Sequence, residues 1–99
     1  MAFNKRAHLR DNIDAIKTAF LLERENRTAT KEERTILEKY SGFGGIKAIL
    51  NPVGHPGDER HWTKSDLDLF PLVNELHEVL RESAKDEAQY RRYVGSLRN

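Results

Sequence analysis

The side chains that could support chemistry in this sequence are four histidines, a glycine-rich stretch and two basic clusters. The histidines are His8, His55, His61 and His77. No second histidine follows His77 at the spacing that a zinc site on a helix requires. His55, Asp58 and His61 could meet in one loop, but nothing in a polar loop would hold three ligands rigidly. We therefore interpret the loop histidines as solvated side chains and predict no metal site.

The glycine-rich stretch is Tyr40-Ser41-Gly42-Phe43-Gly44-Gly45-Ile46-Lys47, which contains three of the six glycines. A Walker-type phosphate loop needs two glycines that bracket four residues and then Lys-Ser or Lys-Thr, and this spacing is absent. Backbone amides at a helix start could still bind an anion, although a turn that permits close packing is the favoured interpretation. Gly42 is expected to end the preceding helix in the left-handed conformation. Phe43 is expected to anchor the turn in the core.

Basic residues gather near both ends of the chain. Lys5, Arg6, His8 and Arg10 lie near the start, and Arg91, Arg92 and Arg98 lie near the end. A solvated helix face is the default interpretation of each cluster. If the two ends meet, they could form a phosphate-binding patch with Tyr90 or Tyr93 nearby. The candidate nucleic-acid contacts are Lys5, Arg6, Arg10, Arg91 and Arg92.

Catalytic chemistry has no recognisable arrangement in the sequence. The carboxylates form pairs along helix surfaces, as Glu78 does with Arg81, and none lies in a predicted cleft where burial could tune its pKa. The serines lack a base partner within a recognisable arrangement. The net charge of +1 also gives no strong argument for nucleic acid. We predict no catalytic site in these 99 residues.

The composition indicates one small helical domain. Ninety-nine residues, 33% charged and 37% hydrophobic, suit thin helices that each bury one face. The absence of cysteine excludes disulfides and thiolate metal sites and fits a reducing cytoplasm. The sequence shows no signal peptide, and no apolar run approaches the roughly 18–20 residues that cross a bilayer. We therefore expect a cytoplasmic protein.

Apolar periodicity predicts a long first helix over about residues 4–25. Its stripe consists of Leu9, Ile13, Ile16 and Phe20. Asn4 could cap its start, and Asp11 or Asn12 could cap a shorter version.

A capping box at Thr30 and Glu33 opens the second predicted helix. The inner face of this helix would carry Ile36, Leu37 and Tyr40. One or two further helical turns are expected around Ile46, Ile49 and Leu50. Residues 51–63 then contain two prolines, two glycines and two histidines, which predicts a mobile surface loop. Trp62, near the end of that loop, is expected to plug the edge of the core.

Two helices are predicted after the loop. Residues 65–68 offer a capping start, with Pro71 in the first turn. Ser83, with Asp86 three residues later, can cap a last helix. The apolar stripe of the first of these helices is Leu69, Leu72, Val73, Leu76, Val79 and Leu80. The stripe of the last is Tyr90, Tyr93, Val94 and Leu97. Together the patterns predict an all-α fold, an irregular bundle of about four or five helices around the glycine-rich turn, as one monomeric domain over residues 1–99.

Three segments of the chain, taken together, resemble a known family. They are residues 4–13, the glycine-rich stretch 40–47, and Phe70-Pro71-Leu72-Val73. Their order resembles the N-terminal region of large DNA methylases carried on mobile elements of Bacteroidetes-type bacteria. Those proteins join an N6-adenine methyltransferase domain to a superfamily-2 helicase domain. Related phage and plasmid anti-restriction proteins carry a similar segment just before the methyltransferase.

The resemblance implies that the catalytic residues lie downstream. A Tyr-Thr-Pro-type segment of the family serves S-adenosylmethionine, and an Asn-Pro-Pro-Tyr/Phe motif serves the flipped adenine. Asn51-Pro52-Val53-Gly54 begins like that second motif, but it lacks the second proline and the aromatic, and it lies too early. No catalytic residue is therefore assigned here, and S-adenosylmethionine is expected only in a longer parent protein. The apolar pattern that continues to the end of the sequence fits an excised piece of such a parent.

The resemblance therefore predicts a non-catalytic accessory domain of a DNA methylase, which packs on the methyltransferase domain and assists DNA binding. The docking turn would consist of Tyr40, Gly42, Phe43, Gly44, Gly45, Ile46 and Lys47. The alternative is a stand-alone protein–protein interaction module without a nucleic-acid role. Exposure of Phe43 and Ile46 would favour that alternative, because an uncovered apolar patch usually marks an interface.

Overall fold

The described part of the structure, a computed structural model, is helical and covers residues 4–43 and 46–97. Within these two ranges there is no β-strand, which confirms the predicted all-helical class. The contacts divide the chain into two compact units, Met1–Gly42 and Phe43–Asn99, and each is described by itself. Compactness does not decide whether a unit folds alone, so the single domain stays a prediction, as does a bundle around the glycine-rich turn. No helix in the described ranges has the length and apolarity that a bilayer crossing requires.

The first unit begins with helix α1, Lys5–Glu25, which is about 31 Å long at 1.5 Å per residue. Asn4 caps it by accepting a hydrogen bond from the Ala7 amide, so the shorter helix capped at residue 11 or 12 is not the one that forms. Asn26 ends α1 in the left-handed conformation, with φ of 49°, and the sequence analysis missed this C-cap. The buried residues of α1 are Leu9, Asn12, Ile13 and Ala15.

Helix α2, Lys31–Glu38, packs against α1 and starts with the predicted capping box. The Thr30 amide donates to Glu33 Oε1 over 2.9 Å, and the Glu33 amide donates to Thr30 Oγ1 over 3.2 Å. Two predictions at its other end are wrong. Gly42 does have a positive φ of 86°, but α2 already ends at Glu38, so Gly42 does not terminate it. Tyr40 lies beyond the helix and is 49% exposed rather than on an inner face.

The second unit begins with short 3-10 helices at Lys47–Leu50, Asp58–His61 and Leu67–Leu69. The first of them forms the short helical segment predicted around Ile49. The predicted mobile loop 51–63 contains the second, and its mobility stays a prediction. Trp62 is buried, as predicted. Its indole Nε1 donates to Pro52 O over 2.9 Å, and its ring meets Phe70 edge-on with 5.2 Å between centroids.

Helices α3, Phe70–Ser83, and α4, Glu87–Ser96, pack against each other in the second unit. Pro71 lies in the first turn of α3, as predicted, because a missing amide is tolerated there. The predicted caps need correction. Residues 65–68 do not cap α3, since its start has no side-chain cap and follows a 3-10 helix directly. Asp86 rather than Ser83 caps α4, by accepting from the Gln89 amide over 2.8 Å.

Candidate functional site

A cluster of polar contacts in the first unit joins α1 to the beginning of the glycine-rich stretch. We call it the Asn12 clasp, and it consists of His8, Asn12, Ser41 and Gly42. Asn12 is fully buried, and its Oδ1 accepts hydrogen bonds from the amides of Ser41 and Gly42 over 2.8 and 3.0 Å. Its Nδ2 donates to His8 O over 2.8 Å, one turn back along α1. Asn12 therefore uses both ends of its amide to position this backbone.

His8 completes the clasp from the same helix. Its Nε2 lies 2.7 Å from Gly42 O, and because a carbonyl oxygen only accepts, Nε2 carries the proton. The Ser41 hydroxyl lies 3.3 Å from both ring nitrogens. A hydroxyl equally far from both nitrogens lies along the lone-pair direction of neither, which is poor geometry for general-base activation of a serine. The clasp is therefore a positioning device rather than a nucleophile–base pair.

The clasp accounts for two of the backbone amides at the beginning of the glycine-rich stretch. Anion binding by backbone amides requires N–H groups that point to a vacant position. The amides of Ser41 and Gly42 donate to Asn12 instead. The positive φ of Gly42 fits the sharp change of direction that brings both amides to one oxygen. These two amides therefore stabilise the turn and are not an anion site.

The residues assigned to the docking turn differ in their exposure. Tyr40 and Lys47 are exposed, whereas Phe43 and Ile46 are buried, with exposed fractions of 3% and 1%. Phe43 is therefore an anchor, as predicted, and the exposed apolar turn that would favour the interaction-module alternative does not occur. Gly44 and Gly45, which belong to the same assignment, lie outside the described residues.

The candidate nucleic-acid contacts are on helices of both units. Lys5 and Arg6 are exposed in the first turn of α1, and Arg91 and Arg92 are exposed on α4. Arg10 donates to Asp14 Oδ1 from Nε and Nη2 over 3.1 and 2.8 Å, which offsets part of its charge. The two clusters belong to different units, so one shared phosphate patch stays a prediction. Arg98 lies outside the described residues.

His77 is the centre of the polar contacts in the second unit. Its Nε2 lies 2.7 Å from Ile49 O and must donate, since the carbonyl has no proton to give. In the neutral ring, Nδ1 then accepts from the Tyr90 hydroxyl, 2.6 Å away. His77 thereby connects α3 both to the 3-10 helix Lys47–Leu50 and to α4. The donor and acceptor roles of the neutral ring are all satisfied inside the unit.

Burial and the nearby charge of Arg81 favour the neutral form of His77. Burial lowers its pKa below the usual 6.5, the bond to Ile49 O raises it in part, and the positive charge of Arg81 lowers it further. The Arg81 guanidinium lies 3.9 Å from the centroid of the Tyr90 ring and also donates to Glu87 Oε2 over 3.0 Å. A cation over the face of this ring is an attractive contact that holds Tyr90 in place.

A cleft of about 270 Å³ opens beside this pair in the second unit. The 3-10 helix Lys47–Leu50, the extended backbone that follows it, α3 and α4 all contribute to its lining. The described residues that line it are Leu50, Asn51, Pro52, Val53, His77, Tyr90, Arg91 and Val94. Among these, Arg91 is the only residue with a formal charge while His77 is neutral.

Within the described residues, no group of three histidine, cysteine or carboxylate side chains could hold a metal ion. His55 and Asp58 do meet, through the His55 amide at 2.7 Å from Asp58 Oδ2, but His61 does not join them as a third ligand. The cleft is smaller than the roughly 300–1,000 Å³ of sites for drug-sized ligands.

The buried hydrogen bonds of Asn12 and His77 were not predicted from the sequence, although both residues lie on apolar stripes. Asn12 lies three residues after Leu9, on the apolar stripe of α1. His77 lies four residues after Val73 and three before Leu80, again on a buried stripe. A polar residue in such a position requires a partner, because burying an unpaired polar group is costly. The sequence could not name the partners, since they lie 29 and 28 residues away.

In comparisons with known proteins, no family model, curated protein or solved structure matches this chain.

Proposed function

We propose that this chain is a non-catalytic accessory domain of an N6-adenine DNA methylase of the cytoplasm. It packs on the downstream methyltransferase domain, which binds S-adenosylmethionine and carries out the reaction, and it assists that domain in binding DNA. The Tyr40–Lys47 turn is the docking element, and the exposed basic residues of α1 and α4 are the phosphate contacts.

The Asn12 clasp is the observation that carries this proposal. Two of the three segments that resemble the methylases, residues 4–13 and 40–47, meet in it through hydrogen bonds of 2.7–3.0 Å. Two segments that form hydrogen bonds with each other support a common origin with the methylases better than two segments that do not touch. The clasp also leaves Tyr40 exposed directly before a fixed backbone, and a fixed backbone is a suitable support for docking.

The basic side chains support the DNA contribution. Lys5 and Arg6 are exposed near the start of α1, and Arg91 and Arg92 are exposed on α4. Lysine and arginine bind phosphates with little dependence on sequence, and salt weakens such contacts. Because the net charge is only +1, we expect weak binding, with a dissociation constant on the order of 10⁻⁴ M in low salt.

An NMR titration with a short DNA duplex in low salt tests this contribution. We expect amide shifts around Lys5, Arg6, Arg91 and Arg92, and weaker binding when Arg91→Gln and Arg92→Gln are combined. Arg34→Gln is the matched control, because Arg34 is exposed on α2, outside the candidate contacts. An absence of shifts at the four residues would remove the DNA role.

A binding assay with a purified methyltransferase domain of the resembling family tests the docking contribution. Tyr40→Ala and Lys47→Ala are expected to weaken binding, since both side chains are exposed in the docking turn. Leu67→Ala, at an exposed leucine elsewhere in the chain, is the control. If the catalytic domain does not bind, or if the control weakens binding equally, the docking assignment is wrong.

A further inference from the structure

We infer that the cleft of the second unit binds one apolar side chain of a partner polypeptide, whose neighbouring acidic residue pairs with Arg91. This inference rests on the docking part of the proposed function and adds a second contact with a defined chemistry. It does not involve the glycine-rich stretch or the basic residues of α1.

The size of the cleft limits its occupant to about one side chain. A volume of about 270 Å³ lies below the usual range for sites that enclose a drug-sized ligand. A whole helix, about 10 Å across, does not enter such a space. A leucine or phenylalanine side chain on an extended or turning segment is the appropriate size.

The walls favour an apolar occupant. Leu50, Val53 and Val94 line the cleft, and Leu50 remains 41% exposed, so an apolar occupant of the cleft has apolar surface to cover. The polar groups of His77 and Tyr90 already bind each other, and His77 also binds Ile49 O. An apolar ligand therefore leaves no hydrogen bond of this pair unsatisfied.

The charge at the edge of the cleft favours an acidic neighbour. Among the described residues that line the cleft there is no carboxylate, and Arg91 carries the only formal charge while His77 is neutral. Its side chain is 78% exposed and lies 3.8 Å from Glu87, which is longer than a hydrogen bond. Glu87 makes its shorter contact, 3.0 Å, with Arg81. Arg91 can therefore turn to a partner carboxylate, and a guanidinium binds that group with two parallel hydrogen bonds.

The same lining argues against a nucleic-acid base. Proteins that bind single strands stack bases on open aromatic faces. Among the described lining residues, the aromatic rings are those of Tyr90 and His77. Arg81 covers one face of the Tyr90 ring, at 3.9 Å from its centroid. Both rings are also held edge-on to each other, with 5.9 Å between centroids. The cleft therefore lacks a free stacking platform.

The test is an NMR titration of the 99-residue chain with acetyl-Leu-Glu-amide. We expect amide shifts at Leu50, Val53 and Val94, with a dissociation constant on the order of 1 mM for so small a probe. Acetyl-Leu-Gln-amide, which has the same shape without the charge, should bind several-fold more weakly. Arg91→Gln should weaken the Glu probe roughly 5- to 10-fold. Arg34→Gln is the control and should leave its affinity unchanged, because Arg34 is exposed on α2 and does not line the cleft.

Three results would overturn the inference. One is an absence of cleft shifts with the Glu probe at tens of millimolar, and another is equal affinity for the Glu and Gln probes. The third is a shift of the Leu50 and Val53 amides, which lie outside α4, by an oligothymidylate, since this would assign the cleft to nucleic acid. The duplex and methyltransferase-domain experiments are read out separately. If these succeed and the peptide titration fails, only the cleft assignment is lost.

Discussion

The two units of this chain hold their buried residues together in different ways. Among the described residues, the first unit contains four buried side chains, and one of them, Asn12, is an amide that binds two backbone N–H groups. The other buried side chains of the described residues belong to the second unit and are apolar except for His77. In a unit with few buried apolar side chains, hydrogen bonds must do more to fix the conformation, because hydrogen bonds are directional and apolar contacts are not. Removing one side chain from each unit tests this difference.

The largest expected effect is in the apolar unit. Leu76 is fully buried on α3, so Leu76→Ala loses apolar contacts and leaves a cavity. We expect the free energy of unfolding to fall by about 2–5 kcal/mol, measured by urea denaturation. Leu67→Ala removes the same atoms from a 38% exposed position and should cost much less. Equal losses for the two variants would contradict an apolar origin of this unit's stability.

The next effect is in the clasp. Asn12→Ala removes the acceptor of the Ser41 and Gly42 amides, whose hydrogen bonds are part-buried, and we expect the free energy of unfolding to fall by about 1–3 kcal/mol. Hydrogen exchange of these two amides should accelerate more than that of α2, because both amides donate to Asn12 Oδ1. Asn74→Ala is the control, since Asn74 bonds only to Glu78 on the exposed side of α3. If Asn74→Ala lowers the free energy of unfolding as much as Asn12→Ala does, the clasp does not contribute more than an exposed hydrogen bond.

A smaller effect is expected from pH at His77. Because its pKa is lowered in the folded state, mainly by burial, the unfolded chain binds this proton more readily. Stability is therefore complete above about pH 6.5 and falls as the pH decreases from there toward the lower folded pKa. Unfolding free energies measured between pH 7.5 and 5 should show this decline, and His77→Gln should reduce its slope. His61→Gln, at an exposed histidine, is the control, and a reduced slope in that variant instead would assign the decline to another group.

The smallest effect is expected at the exposed capping box. The hydrogen bond from Arg27, followed by that from the Thr30 amide, lowers the pKa of Glu33 to about 2. Its contribution to stability should therefore be present above about pH 4.5 and be lost as the pH falls toward 2. Glu33→Gln should lower the urea midpoint slightly at pH 7 and remove that acid-range dependence. Glu32→Gln, one residue earlier and also exposed, tests whether the effect is specific to the cap; an equal shift there would argue for general charge instead.

Local signals in the sequence predicted much of the helical structure. The Thr30–Glu33 capping box, the Asn4 cap and Pro71 in the first turn of α3 all depend on neighbours within four residues, and each forms as predicted. The wrong predictions concern helix ends. A glycine that fits a left-handed cap does not end α2 at Gly42, since the helix stops at Glu38. The buried stripe of α3 was correct in its main positions because apolar periodicity reports directly on a buried face.

The candidate sites could be predicted only in part. The sequence identified Phe43 as an anchor and Trp62 as a plug, and both are buried. It did not identify the Asn12 clasp or the cleft, because each forms from residues that are far apart in the chain. Whether the basic residues bind DNA and whether the turn docks on a methyltransferase stay predictions.

The sequence by itself determined the approximate extent of the α-helices and most of the apolar positions that α3 buries, since capping and periodicity act over a few residues. Only the tertiary structure decided what the buried polar groups do. Asn12 reaches across 29 residues to Ser41, and His77 reaches across 28 to Ile49. Hydrogen bonds over such separations depend on how the chain folds back within each unit, and local spacing contains no information about that path.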